Sequence, residues 1–193
     1  MRFKVAGMMT ALTVLTVGGA LAQGPGAGKR GPAPPAFRVM NSSWTDGGEV
    51  PAKYSAVGGS TSPGLSWTNV PMGTVTFAIL FHDPDVALNK SLNDVTHWFA
   101  FNIPASVTKL DEGAPLPEGA INGKNIRGQN AYMGPGAPAN GPFHHYTLEL
   151  FALDTKLDLT ADAQRADFMK AIDGHILGKA VWVGLYHQPA PAQ

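Results

Sequence analysis

Four polar side chains that can bind an ion or move a proton stand at the ends of apolar segments: Asp83, His97, His144 and Tyr146. Successive side chains of a β-strand alternate between its two faces, so each of these residues extends one apolar stripe. These stripes are 77, 79 and 81 before Asp83, 99, 101 and 103 after His97, and 148 and 150 after Tyr146. Where three such strand ends are neighbours, the four side chains meet at the rim of a core, and small polar sites are expected there.

The chemistry that this group supports is the binding of an oxyanion. His97 and His144 can donate N–H bonds and Tyr146 an O–H bond, and the imidazole bonds strengthen when the rings are charged. Asp83 can orient and help to charge a histidine, or it can meet a cationic group of the ligand. The remaining histidines lie off the shared face or near loops and the terminus, and we interpret them as ordinary polar residues: His82, His145, His175 and His187.

β-strands must position most of these side chains. Apolar, β-branched and aromatic runs bounded by Gly, Pro, Asn or Asp predict strands at 37–40, 65–67, 75–82, 97–103, 144–153 and 180–186. One helix is predicted at 160–172, with Thr160 as its N-cap and Phe168, Met169 and Ile172 as its apolar stripe. The long connections at 83–96, 111–128 and 129–143 touch the strand ends that carry Asp or His, which favours a functional role for them.

The N-terminus predicts export. Arg2 and Lys4 precede an apolar, uncharged run that closes on the small-x-small tripeptide 20–22, the pattern of a secretory signal peptide cleaved after Ala22. Residues 23–36, rich in Gly, Pro and Ala, are predicted to be a flexible tether, and residues 37–193 to form one domain. The expected location is periplasmic or secreted, with no transmembrane anchor after cleavage.

Composition narrows the function classes further. The chain has 14 basic and 14 acidic residues, so a mature chain without Arg2 and Lys4 carries 12 against 14 and is close to neutral. Without a basic cluster there is no electrostatic reason to bind nucleic acid. The absence of cysteine means that neither disulfides nor thiol chemistry take part, so the apolar core must hold the domain alone.

Several ordered motifs resemble one known family. They are Leu65-Ser66-Trp67 with Val70-Pro71, Asp83-Pro84-Asp85, His97-Trp98 with Asn102-Ile103-Pro104, and Gly141-Pro142-Phe143-His144-His145-Tyr146. Together they resemble the phosphatidylethanolamine-binding protein family, and most of all its bacterial Raf kinase inhibitor-like branch. The resemblance implies antiparallel sheets, one large and central and one smaller, with a C-terminal helix.

The same resemblance implies an anion pocket at one end of the fold. The family's pocket residues fall on Asp83, His97, His144 and Tyr146, and the segment 132–138 resembles its Gly/Pro-rich wall, whose backbone N–H groups meet the anion. The predicted ligand-binding residues are therefore Asp83, Asp85, His97, Gly136, His144 and Tyr146.

Three functions follow as expectations, in order of preference. The first is an exported protein that binds a small anion such as phosphate, or a phospholipid head group, without enzymatic activity or cofactor. The second is an inhibitor or partner-binding protein acting on an exported protease or another envelope protein. The third is a hydrolase, either acid–base or dependent on a metal held by the two histidines and Asp83. The sequence holds no His-Glu-x-x-His segment, nucleophile elbow, P-loop or dinucleotide fingerprint, which places the enzyme last.

Overall fold

The computed structural model describes residues 35–190, which form two β-sheets, one α-helix and two short 3-10 helices, Ala52–Tyr54 and Leu88–Lys90. The smaller sheet has the order β1-β3-β6, with β1 Arg38–Asn41, β3 Leu65–Thr68 and β6 Lys109–Leu110. The larger has the order β2-β9-β8-β4-β5-β7, with β2 Gly48–Glu49, β4 Thr76–Asp83, β5 Val95–Pro104, β7 Ile121–Asn122, β8 His144–Leu153 and β9 Ile176–Tyr186. The pairings are antiparallel except that of β2 with β9. The mainly β prediction with two sheets and a C-terminal helix is confirmed.

The central strand β4 shows why this sequence forms a covered sheet. All eight of its residues are buried, because one face packs on the small sheet and the other on the helix α1, Arg165–Ile172. Phe77, Ile79 and Phe81 enter the core between the sheets, whereas Ala78 and Leu80 enter the core beneath α1. The alternation predicted for β4 is therefore present.

The strand β5 departs from the predicted alternation at two bulges. Phe99 and Phe101 lie in the core beneath α1, whereas Ile103 lies in the core between the sheets. Phe81 pairs with Trp98 and His82 with Thr96, so His97 is an extra residue that the partner strand does not match. The prediction that His97 shares a face with Phe99 and Phe101 is wrong, since a bulge turns its side chain to the other side of the sheet.

The helix begins later than predicted. Gln164 is its N-cap and forms a capping box with Asp167, while the main-chain N–H of Ala163 bonds to the carbonyl of Thr160 in a turn before it. Phe168 and Ile172 are buried as expected, but Met169 is 40% exposed and does not belong to the buried stripe.

No helix among residues 35–190 is both long and apolar enough to cross a bilayer. The predicted signal peptide, 1–22, and all but the last two residues of the predicted tether, 23–36, lie outside the described residues.

Candidate functional site

A cavity of about 280 Å³ opens where β4 ends and β5 and β8 begin. The four side chains expected to converge, Asp83, His97, His144 and Tyr146, all line it. β4 delivers Asp83 at its last position, β8 delivers His144 and Tyr146 from one face, and the bulge in β5 delivers His97. The convergence predicted from the sequence is thus present, although a bulge in β5, and not strand alternation, directs His97 into the cavity.

The buried Asp83 pairs with the partly buried His144 at the cavity wall. The His144 Nδ1 atom lies 2.7 Å from the Asp83 Oδ2 atom, and the carboxylate residue is only 3% exposed. The second oxygen, Oδ1, accepts the main-chain N–H of Asp85 at 3.0 Å. Since both oxygens are engaged, the carboxylate holds the His144 ring in place and keeps a proton on Nδ1.

Main-chain carbonyl groups, and not a carboxylate, hold the ring of His97. Its Nδ1 atom lies 3.0 Å from the carbonyl oxygen of Met133 and 3.1 Å from that of Gly134, so Nδ1–H is the donor. Burial lowers the pKa of His97, and the positive charge of Arg127 lowers it further against the opposing effect of the two carbonyls and Asp83. The ring is therefore neutral at pH 7, and its Nε2 atom is an acceptor until the ring gains a proton.

Tyr146 forms the cavity floor and holds its wall. Its hydroxyl accepts the main-chain N–H groups of Gly136 at 3.1 Å and Ala137 at 3.0 Å. Burial raises the pKa of Tyr146 to about 12, so the phenol stays protonated. Gly136, a predicted ligand-binding residue, lines the cavity, and its main-chain N–H already donates to the tyrosine hydroxyl.

The wall segment 134–138 is tightly anchored from outside. The hydroxyl of Ser60 accepts the N–H of Gly134, and Gln188 donates its own N–H to the Ala137 carbonyl. A Cβ atom on Gly134 would collide with the main chain of residues 54–55, whereas one on Gly136 would make only an ordinary contact. The cavity is therefore preformed, and glycine is required at 134 but not at 136.

Asp85 was predicted to bind the ligand, but it does not line the cavity. Its Oδ2 atom instead accepts the main-chain N–H of His145 at 2.6 Å and lies 3.0 Å from the Nδ1 atom of the same residue. Burial is the largest single influence on the Asp85 pKa and raises it, but the two bonds from His145 and the charges of His145 and His144 together outweigh burial and lower the pKa. His145 is exposed and points away from the cavity, as the strand alternation predicts.

Arg127 is a lining residue that the sequence analysis missed. It is exposed and lies within the long connection 111–128, where no strand or helix pattern predicts the position of its side chain. The lining also includes the apolar side chains of Val86, Val95, Ile126 and Met133. The cavity thus offers one permanent cation and two imidazoles to an anion, and its other polar side chains are Asp83, which pairs with His144, and Tyr146.

The same geometry bears on the metal-dependent alternative. Among residues 35–190, no three His, Cys, Asp or Glu side chains are grouped as metal ligands. Asp83 is engaged with the Nδ1 atom of His144 rather than sharing a site with both rings.

Comparisons with known proteins agree with one another. The family described as phosphatidylethanolamine-binding protein matches residues 40–187. A UPF0098 protein of Methanothermobacter thermautotrophicus is 40% identical over 156 residues, which cover 79% of this chain and 99% of the relative. The crystal structure of Escherichia coli YbcL, described as a member of the mammalian family, superposes with a TM-score of 0.74 at 30% identity, covering 80% of this chain and 99% of YbcL. Chlamydia trachomatis CT736, described as a homologue of the same family, gives a TM-score of 0.72 at 30% identity, covering 79% and 98%.

Proposed function

Because the chain belongs to the phosphatidylethanolamine-binding protein family, we propose that it binds a small oxyanion or a phospholipid head group in the cavity, as a binding protein and not as an enzyme. We place it in the periplasm or outside the cell, on the strength of the signal-peptide pattern at residues 1–22. Its ligand is then an anion present in that compartment.

One observation carries this proposal. His97 and His144 each use Nδ1 on a partner within the protein, and within residues 35–190 neither Nε2 atom has a hydrogen-bond partner. Both rings line the cavity together with Arg127. When protonated, each ring donates one N–H to its partner and the other to a ligand, so an oxyanion meets up to two imidazolium donors and one guanidinium.

The arrangement also bears on how a head group is recognised. Both carboxylate oxygens of Asp83 already have partners, and the residue is 3% exposed, so Asp83 supports His144 rather than binding an ammonium. The phosphate portion of the ligand is therefore the part that the cavity recognises. Phosphate and phosphoethanolamine should bind with similar affinity, and a large preference for phosphoethanolamine would require a separate ammonium contact.

Titration calorimetry with sulfate between pH 5 and 8 tests the proposal, because the charge of sulfate is constant over that range. The lowered pKa of His97 means that its ring gains a proton only below the usual histidine range near 6.5, so sulfate affinity should still be rising between pH 6 and 5. An affinity that does not change between pH 8 and 5 would rule out a site built on these histidines.

A further inference from the structure

A second cavity, of about 370 Å³, lies on the helix side of the large sheet. Its walls come from the loop after β4, the start of β5, the segment 124–126 and the first turn of α1. Its volume falls within the range of small-molecule pockets, roughly 300–1,000 Å³. The anion cavity described above does not account for it, since the two share only Ile126.

The polar part of this second cavity is a buried charge network. Asp94 contacts Arg165 through Oδ1 and lies 2.8 Å from the Nδ1 atom of His82 through Oδ2. The side chains of Asp94 and Arg165 are only 11% and 23% exposed. Burial is the main cause that lowers the pKa of His82 to about 4, so this histidine is neutral at pH 7 and adds no charge.

The lining carries one net positive charge. Arg165 and Lys124 are its cations, and Asp94 is its carboxylate. Lys124 also pairs with Asp162 at 2.7 Å, but Asp162 is 85% exposed and does not line the cavity. A surface pair of this kind contributes little, so a ligand can replace Asp162 as the partner of Lys124.

The rim of the second cavity is apolar and exposed to solvent. Leu92 is fully exposed, Ile126 is 49% exposed and Met169 is 40% exposed. All three line the cavity together with the half-buried Leu88. A ligand that covers these side chains gains from their burial.

From this juxtaposition we propose that the second cavity binds a singly charged amphiphile, a carboxylate that carries an alkyl chain. The carboxylate bonds to Lys124 beside Arg165, and the chain lies against Leu92, Ile126 and Met169. One net charge in the lining matches a carboxylate better than a dianionic phosphate. This site is independent of the anion site in the first cavity.

Titration of the ¹⁵N-labelled protein with octanoate, below the concentration at which it forms micelles, tests the proposal by NMR. Octanoate should shift amide signals of residues 92–96, 124–126 and 164–169 and should bind more tightly than octanol or acetate, which each lack one half of the amphiphile. Saturating sulfate should leave octanoate binding unchanged. Displacement by sulfate, shifts confined to the first cavity, or equal affinity for octanol would overturn the proposal.

Matched variants separate the contributions that the carboxylate and the alkyl chain of octanoate make to binding. Lys124→Gln should weaken octanoate binding roughly fivefold and leave octanol binding unchanged, since a partly exposed ion pair is worth about 1 kcal/mol. Leu92→Ser should weaken both ligands roughly tenfold.

The controls are Lys109→Gln and Met72→Ser, at exposed positions that do not line the cavity. Neither control should change binding. Control variants that weaken octanoate as much as their counterparts would also overturn the proposal, and sulfate binding measured in the same samples reports on the first cavity separately.

Discussion

Two adjacent histidines offer the sharpest contrast that this structure allows. β8 directs His144 into the first cavity and His145 to the opposite face, where its side chain is 59% exposed. We expect His144→Ala to weaken sulfate binding by one to two orders of magnitude and His145→Ala to leave it nearly unchanged. The first change removes one charge-assisted hydrogen bond, worth roughly 1.5–3 kcal/mol.

The structure also separates the two variants in stability. His144→Ala leaves the buried Asp83 carboxylate without its 2.7 Å partner, which costs about 1–3 kcal/mol of unfolding free energy. His145→Ala removes only an exposed ring contact, because the main-chain N–H at 145 still donates to Asp85. That loss should stay below about 1 kcal/mol.

Titration calorimetry with sulfate at pH 5 measures the binding, and circular dichroism with urea unfolding confirms that each variant is folded under the titration conditions. Equal losses of sulfate affinity in two folded variants would refute the reasoning. Such a result would mean that the register of β8 or the assignment of the cavity is wrong.

Three further outcomes follow from the structure and a fourth from the sequence. Because the folded pKa of His82 is about 4 and the unfolded value about 6.5, the unfolded chain takes up this proton first as the pH falls. Urea unfolding should therefore show that up to roughly 3 kcal/mol of stability is lost between pH 6.5 and 4, and that the loss is smaller in His82→Gln. The same pH dependence of stability in both proteins would count against the lowered pKa of His82. Gly134→Ala should lower the unfolding free energy by roughly 1–3 kcal/mol through overpacking, while Gly136→Ala should change it by less than about 0.5 kcal/mol; a reversed order would contradict the wall geometry. Tyr146→Phe should cost about 1–3 kcal/mol in the same assay, since two main-chain N–H groups lose their acceptor, and an unchanged value would show that water replaces it. Intact-mass analysis of protein recovered from the cell envelope should find a chain that begins at Gln23, and a mass that retains residues 1–22 would disprove the predicted cleavage.

The sequence was sufficient for the main strands and for the four side chains that converge, because both depend on local pattern and motif. His97 shows the limit of that reasoning. Its orientation follows from a mismatch in the pairing of β4 with β5, and such a mismatch depends on two strands that are distant along the chain. The motifs placed His97 at the cavity correctly, whereas strict alternation placed it wrongly on the same face as Phe99 and Phe101.

Three other differences have comparably specific physical causes. Asp85 belongs to the right motif, but the main-chain N–H of Asp85 bonds to Asp83 in a tight turn that directs the second carboxylate to His145. Arg127 lies in a long connection whose course no local periodicity predicts. The sequence offers two candidate N-caps for α1, Thr160 and Gln164. The helix begins after Gln164, because this residue forms the reciprocal bonds of a capping box with Asp167.

A crystal structure of the protein with selenate at pH 5 tests the central claim most directly, because the anomalous signal of selenium locates the anion independently of the protein atoms. Our account predicts an ordered selenate in the first cavity, with oxygen atoms within about 3.2 Å of the Nε2 atoms of His97 and His144. Selenate ordered elsewhere, with this cavity empty at a concentration that saturates binding in solution, would contradict it.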